Sequence, residues 1–133
     1  ALEKGLITPL VLGADMRDIF NIAKETRRLI ELVRKGEHTA QTLSHSTFTI
    51  TNWGMYDVDV FVPIINPPEC AILAVGKIEK KTVIIQDAIA IRDMMTLCLA
   101  YDHRVVDGAV AARFLQAIRK SLVSPASLFP QEP

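Results

Sequence analysis

The chain has 133 residues, of which half are apolar, and its 15 basic and 15 acidic side chains cancel. This length corresponds to one compact domain. A net charge of zero differs from the basic surface of most proteins that bind nucleic acid or anionic membranes. No apolar stretch approaches the roughly 18 residues of a membrane span, and no charged-then-apolar leader opens the chain. Composition therefore predicts a soluble α/β domain with neither a nucleic-acid nor a membrane partner.

The amino-terminal part predicts a strand followed by a helix. Residues 5–11 form a β-rich run, and its internal proline, Pro9, favours an edge position in a sheet or a bulge. An amphipathic pattern over residues 19–35 predicts the clearest helix of the chain. Asp18 can cap the first turn of this helix, and Gly36 marks its end.

The middle of the chain predicts a strand and a long loop. After a short helical turn at residues 39–43, residues 47–51 alternate between threonine and apolar side chains, as a half-buried strand does, with Phe48 and Ile50 facing the core. Residues 52–68 contain three prolines, so no helix or strand continues through them. Because loops of this length are uncommon inside a compact domain, we expect this one to form an interface.

The carboxyl-terminal half predicts three strand segments and a helix. Two fully apolar runs, residues 70–75 and 94–101, are typical of central strands that are buried on two faces. Two β-rich segments between them predict a hairpin with its turn at residues 86–88. The hairpin strands are expected at residues 82–85 and 89–92. An amphipathic pattern over residues 109–123 predicts a final helix that ends at Pro125.

The chain has two cysteines and three histidines. Cys70 and Cys98 lie in apolar runs without metal-ligand spacing, which is typical of reduced, buried side chains rather than of a metal site or a disulfide. His38 and His45 lie in a polar connection, and we interpret them as surface residues. The sequence therefore predicts no metal site.

The segment that follows the second apolar run is best suited to chemistry. Asp102, His103 and Asp107 lie within six residues of one another at the predicted carboxyl end of a strand, where α/β folds commonly place their sites. Imidazole is the usual general base for a thiol or hydroxyl. Asp107 can also cap a helix that begins near Gly108. Since no nucleophile is adjacent in sequence, these residues alone leave His103 open to either a structural or a catalytic role.

Five segments of the chain then point to a family. In chain order they are KGLITPLV, STFTITNWGM, PIINPPECAILAVG, MTLCLAYDHRVVDGA and AARFLQAI. Together they resemble the dihydrolipoamide acyltransferases of 2-oxo acid dehydrogenase complexes, and the string DHRVVDGA resembles the H-x-x-x-D-G signature of that family. The family shares its catalytic fold with chloramphenicol acetyltransferase, but PIINPPE and DHRVVDGA match the lipoyl branch rather than the antibiotic-acetylating one. The resemblance implies a two-layer α/β sandwich in which a mixed sheet packs against the two predicted helices.

The resemblance also implies roles for individual residues. His103 matches the histidine that acts as general base toward the thiol of coenzyme A or dihydrolipoamide. Thr51 stands where the family usually has a serine, whose hydroxyl stabilises the oxyanion. Asp107 matches a residue that helps to fix the histidine loop, and Arg104 is expected to form a structural ion pair. Asp57 is a departure, because relatives often carry glycine at this position.

Substrates and partners follow from the same resemblance. Coenzyme A and a lipoyl group carried on a separate domain would be the substrates, with no covalent acyl-enzyme. Relatives form homotrimers that build larger cubic or icosahedral cores, and the histidine and the oxyanion hydroxyl come from neighbouring subunits. Lipoyl domains and the other components of the dehydrogenase complex would be partners, in a bacterial cytoplasm or a mitochondrial matrix. The alternative is a scaffold subunit or a truncated homologue without turnover.

The resemblance also implies which part of the catalytic domain the chain corresponds to. Residues 1–133 correspond to the carboxyl-terminal part of the family's catalytic domain, which normally has on the order of a hundred more residues before this point. The fold is thus expected to be incomplete at its amino terminus, and the lipoyl and peripheral-subunit-binding domains are expected to be absent. The acyl group and the size of the core are not predicted.

Overall fold

A computed structural model describes residues 7–37 and 46–129 of the chain, without the side chain of Ser127. The chain divides into two compact units, residues 1–46 with 116–133 and residues 47–115. The predicted helical turn at residues 39–43, with His38 and His45, lies outside the described residues. In the described part of the chain, no helix is long and apolar enough to span a membrane.

The first unit is built around the helix α1, Ile19–Lys35. The carboxylate of Asp18 accepts a hydrogen bond of 2.7 Å from the backbone N–H of Asn21, which satisfies a donor that the helix leaves unpaired at its first turn. Gly36 ends the helix with φ at 74°, a conformation that costs glycine least. The predicted helix is therefore confirmed with both of its end signals.

The predicted strand at residues 5–11 is not found in its described part. Residues 7–11 have no regular secondary structure, and a short 3-10 turn, Ala14–Met16, follows them. Pro9 lacks a backbone N–H, so the run cannot present a complete ladder of donors to a neighbouring strand. The prediction of a strand over these residues was wrong.

A three-stranded mixed sheet forms the centre of the second unit. Its strands are β1 (Thr49–Asn52), β2 (Ala71–Val75) and β5 (Leu97–Tyr101), in the order β1-β2-β5. β1 pairs parallel with β2, and β5 pairs antiparallel with it. Residues 71–74 of β2 are buried and form most of the core. The prediction of a central strand is confirmed for β2, but among the described strands β5 lies at an edge, because an apolar run alone does not fix a strand's position in a sheet.

The predicted hairpin is confirmed and is longer than expected. β3 (Glu79–Ile85) and β4 (Ala88–Met94) pair antiparallel, so Met94 belongs to β4 rather than to β5. Gln86 and Asp87 form the two-residue turn, with φ at 50° and 61°. Positive φ at both turn residues matches the twist of the strands on either side.

The second helix, α2, spans Gly108–Val123 and ends just before Pro125, as predicted. The ring of Phe114 packs edge-on against the ring of Phe48 at 5.7 Å between centroids, so the helix covers the start of β1. Phe48 thus faces the core as predicted, whereas Ile50 is 65% exposed and the prediction for it was wrong. The mixed sheet and the two helices confirm the predicted α/β class.

Candidate active site

The loop between β5 and α2 is held by its backbone. The N–H of Asp102 donates to the carbonyl of Cys70 at 2.8 Å, which extends the pairing of β5 with β2 by one residue. The carbonyl of Asp102 then accepts from the N–H groups of Val105 and Val106, each at 3.0 Å. The loop that carries the predicted base is therefore a tight turn fixed to the sheet.

Asp102 and Arg104 add an ion pair across this turn. The guanidinium Nη2 lies 2.6 Å from Oδ2, and Nε lies 2.9 Å from Oδ1. The backbone N–H of Arg104 also donates to Oδ1 at 2.9 Å. The hydrogen bonds from the Arg104 side chain and then from its N–H lower the pKa of Asp102 to about 2. The ion pair predicted for Arg104 is confirmed.

His103 projects from the turn and is exposed. Its imidazole contacts the ring of Tyr101, with 5.7 Å between the centroids and 40° between the ring planes. Among the described residues, no hydrogen bond or ion pair reaches the imidazole. An accessible imidazole is able to take a proton from a substrate thiol.

Asp107 lies at the start of α2. Its carbonyl accepts hydrogen bonds of 3.0 Å from the N–H groups of Val110 and Ala111. The predicted cap by its carboxylate is absent, because that carboxylate accepts no hydrogen bond from any described residue. Asp107 thus begins the helix through its backbone, and its exposed carboxylate is available to another partner.

Thr51 lies on β1 and is half-buried. Two residues earlier on the same face, the Thr49 hydroxyl donates to the carboxylate of Glu69 at 2.8 Å, and Glu69 is only 8% exposed. The threonines of β1 therefore lie on a polar face that is partly closed. A partly buried row of hydroxyl groups of this kind can line a site.

The strand register separates Thr51 from His103. Thr51 is opposite Ala74 on β2, whereas Tyr101 is opposite Ala71 on the other side of β2. With a rise of about 3.3 Å per residue and about 4.8 Å between strands, the Cα atoms of Thr51 and Tyr101 are about 14 Å apart. His103 follows Tyr101 by two residues, after the pairing of Asp102 with Cys70. Thr51 and the strand end that leads to His103 therefore lie at opposite ends of β2.

The loop after Thr51 is fastened to the end of β2. The N–H of Trp53 donates to the carbonyl of Val75, and the N–H of Lys77 donates to the carbonyl of Val58 at 2.8 Å. A Cβ on Gly76 would overlap the carbonyl oxygen of Asp59, so the loop backbone crosses Gly76 without space for a side chain. The sequence signal that could have revealed this crossing is the glycine that directly follows an apolar strand.

A row of alternating charges reinforces this attachment. Lys77 bridges Asp57 at 3.1 Å and Glu79 at 3.0 Å, and Lys81 bridges Glu79 at 2.9 Å and Asp59 at 3.2 Å. The hydroxyl of Thr96 donates a hydrogen bond to the carboxylate of Asp59 at 3.0 Å. This hydrogen bond is the largest cause of the lowered pKa of Asp59, and the hydrogen bond from Lys81 is the second. The charges join the loop to β3, and sequence reasoning did not find them.

Asp57 adopts the backbone conformation that the expected glycine would favour. Its φ of 62° lies in the left-handed region, which glycine adopts most easily and aspartate tolerates better than most residues. Its carboxylate pairs with Lys77. A turn that favours glycine is therefore formed here with a charged residue.

Trp53 and Phe61 stack at the base of the same loop, with 4.5 Å between the ring centroids and 9° between the ring planes. Met55 and Tyr56, between them in sequence, are 78% and 64% exposed. A shallow cavity of about 210 Å³ opens beside this loop at the carboxyl ends of β1 and β2. It is lined by Asn52, Gly54, Met55, Val75, Gly76 and Ile78.

Comparison with known proteins identifies the family. The model of the 2-oxoacid dehydrogenases acyltransferase catalytic domain matches residues 1–130. The chain belongs to this family. The acetyltransferase component of the pyruvate dehydrogenase complex from Rickettsia bellii is 41% identical over 126 residues, which are 95% of this chain and 30% of that protein. The lipoamide acyltransferase component of the branched-chain alpha-keto acid dehydrogenase complex from Pseudomonas aeruginosa is 42% identical over 127 residues, or 96% of this chain and 30% of that protein.

Solved structures of the family have the same fold. The dihydrolipoamide acetyltransferase of Azotobacter vinelandii is similar with a TM-score of 0.89 and 35% identity, over 95% of this chain and 52% of that chain. The cubic core of a pyruvate dehydrogenase multienzyme complex has a TM-score of 0.89 and 34% identity over the same shares. The chain thus spans about 30% of these curated relatives and about half of the solved catalytic chains.

Proposed function

We propose that this chain carries both catalytic side chains of a dihydrolipoamide acyltransferase, which moves an acyl group between coenzyme A and dihydrolipoamide. One observation carries the proposal. The Azotobacter structures address the roles of a serine, a histidine and an asparagine in the catalytic mechanism, with 52 residues from the serine to the histidine and four more to the asparagine. Thr51, His103 and Asp107 have the same two separations.

The proposed reaction needs one base and one oxyanion donor. His103 takes the proton from the attacking thiol, and the thiolate adds to the thioester carbonyl. The Thr51 hydroxyl donates a hydrogen bond to the oxyanion of the tetrahedral intermediate. Collapse of this intermediate breaks the original carbon–sulfur bond, and the departing thiolate takes the proton back from His103. The acyl group changes sulfur atoms, and nothing is oxidised or reduced.

Asp107 has a supporting place in this proposal. It occupies the position of the asparagine in the Azotobacter enzyme, four residues after the base. Its carbonyl fixes the first turn of α2, and its carboxylate is exposed at the end of the histidine loop. We assign it the task of holding this loop against the helix and, in an assembly, against a neighbouring chain.

The proposed site lies between two chains of a homotrimer. The separation of about 14 Å between the Cα atoms of Thr51 and Tyr101, two residues before His103, supports this arrangement, because Thr51 and His103 would then each need the other residue from a neighbour. The exposed Met55 and Tyr56, together with the stacked Trp53, give apolar surface of the kind enriched at interface cores. The cubic core of a related complex supports further assembly of trimers.

A scaffold role without turnover is the second candidate. It is favoured by two differences from the Azotobacter enzyme, since threonine and aspartate stand here at the separations of that enzyme's serine and asparagine. The presence of a base and a hydroxyl at the catalytic separations favours the enzyme.

Acyl transfer is the direct test. Acetyl-, succinyl- and isobutyryl-coenzyme A are offered with free dihydrolipoamide to this chain and to an amino-terminally extended form, and light scattering gives the mass of each. We expect transfer by the extended trimer, and its loss by about 10²-fold or more in His103→Ala with the trimer intact. Arg119→Ala, an exposed change on α2, is the matched control. Absence of transfer from every donor, or an unchanged rate in His103→Ala, would reject the enzyme in favour of the scaffold.

A further inference from the structure

Tyr101 connects the proposed base to the start of α2. Its ring contacts the imidazole of His103, with 5.7 Å between centroids. Its hydroxyl reaches Gly108, where a Cβ would lie only 3.2 Å from the hydroxyl oxygen. One half-buried side chain thus contacts His103 and also fills the space that a side chain at position 108 would occupy.

The imidazole of His103 has few other constraints. Its backbone is held by the bonds that the N–H and carbonyl of Asp102 form, but within the described residues no hydrogen bond orients the imidazole itself. A general base works only when its accepting nitrogen points at the proton that it removes. Packing against the ring of Tyr101 can limit its rotation.

We propose that Tyr101 is a positioning residue for His103, and that glycine at position 108 leaves the Tyr101 hydroxyl the room that it needs, since a Cβ there would lie 3.2 Å from it. This inference rests on the proposed function, in which His103 is the base. Tyr101 itself lies on β5, opposite Ala71 of the buried strand β2. The backbone that carries the ring is therefore paired with the buried strand of the sheet.

Gly108 allows this idea to be tested without removing the ring. Of the described glycines, Gly13 and Gly36 have positive φ, and Gly108 does not, so alanine can adopt its backbone conformation. Alanine is also the better helix former. Gly108→Ala should therefore keep or raise the thermal stability while its Cβ pushes the Tyr101 hydroxyl, and with it the ring, by a few tenths of an ångström.

The experiment is a double-mutant cycle in the amino-terminally extended trimer. Wild type, Gly108→Ala, Tyr101→Phe and the double variant are compared by kcat and KM with the best acyl donor, and by melting temperature. We expect Gly108→Ala to lower kcat by about 3- to 10-fold with KM within twofold, because small displacements of reacting groups are costly. In the Tyr101→Phe background the same change should have no further effect, since the hydroxyl that it meets is gone.

A second pair of variants tests the Tyr101 ring separately from its hydroxyl. Tyr101→Leu should lower kcat by at least about 10-fold, and Tyr101→Phe, which keeps the ring, should restore it to within about threefold of wild type. If Tyr101→Leu fails to assemble, the double-mutant cycle with Gly108→Ala still tests the inference.

Two results overturn the inference: Gly108→Ala lowers kcat equally with tyrosine and with phenylalanine at position 101, or it leaves kcat unchanged. Failure of the proposed function is a different result, because wild type would then show no transfer, or His103→Ala would show the wild-type rate.

Discussion

Thr51 and His103 lie at opposite ends of the same three-stranded sheet. Thr51 is beside Ala74, near the carboxyl end of β2, and His103 follows the strand that pairs with the amino end of β2. The Cα atoms of Thr51 and of Tyr101, which precedes His103 by two residues, are thus about 14 Å apart in a single chain. If the proposed function holds, each chain of the trimer supplies a base to one site and a hydroxyl to another.

This geometry predicts complementation between inactive variants. His103→Ala and Thr51→Val chains are co-expressed in equal amounts and purified as mixed trimers. Because each site combines residues of two neighbouring chains, about a quarter of the sites in random trimers should contain both wild-type residues. The mixture should then reach up to about a quarter of the wild-type rate, far above either variant alone. A rate that merely equals the average of the two variants would place both residues of each site in one chain.

The Thr51 hydroxyl should affect the rate rather than binding. Thr51→Val removes the oxyanion donor and keeps the shape, so kcat should fall by about 10²- to 10³-fold with little change in the KM for coenzyme A. Thr51→Ser restores the donor and should recover most of the rate, since it differs only by a methyl group that restricts χ1. Steady-state kinetics on the extended trimer separate these cases. Unfolding of Thr51→Val would instead identify a structural hydroxyl.

The residues that the sequence located are those with local signals. Asp18 and Gly36 mark the ends of α1, and the pattern on either side of Gln86 marks the hairpin, because caps and turns depend on residues close in sequence. The family signature predicts Thr51, His103 and Asp107 as site residues from local sequence in the same way, and these three assignments stay predictions. What the sequence missed depends on contacts across the fold. The crossing of Asp59 over Gly76, and the contact of Tyr101 with Gly108, join segments that no periodicity brings together.

The crossing at Gly76 should be intolerant of a side chain. Gly76→Ala places a methyl group against the carbonyl of Asp59, and the backbone must move to relieve the overlap, at a cost of about 1–3 kcal/mol of unfolding free energy. Chemical denaturation measures this cost. Asp59→Asn is the control, since it removes the ion pair with Lys81 and leaves the backbone crossing intact. It should destabilise the protein less than Gly76→Ala, and the reverse order would show that charge rather than backbone packing fastens the loop.

The ion pair of Asp102 with Arg104 should make stability depend on pH in the acid range. The pKa of Asp102 is lowered from 3.8 to about 2, first by the hydrogen bond from the Arg104 side chain and then by that from the Arg104 N–H. A carboxyl whose pKa is lower in the folded state binds fewer protons there than in the unfolded state. It therefore stabilises the fold above about pH 4, and this contribution is lost as the pH falls toward about 2.

Thermal unfolding of wild type and Asp102→Asn across pH 2 to 6 measures this contribution. Wild type should melt higher above about pH 4, and the difference should shrink steadily as the pH falls from about 4 toward about 2, because the carboxyl of Asp102 becomes protonated over this range. Arg104→Gln should reduce the pH dependence, because it removes the guanidinium that contributes most to the shift. The double variant should behave like Asp102→Asn alone. A difference that stays constant down to pH 2, or that grows as the pH falls, would mean that the pair does not hold the histidine turn in solution.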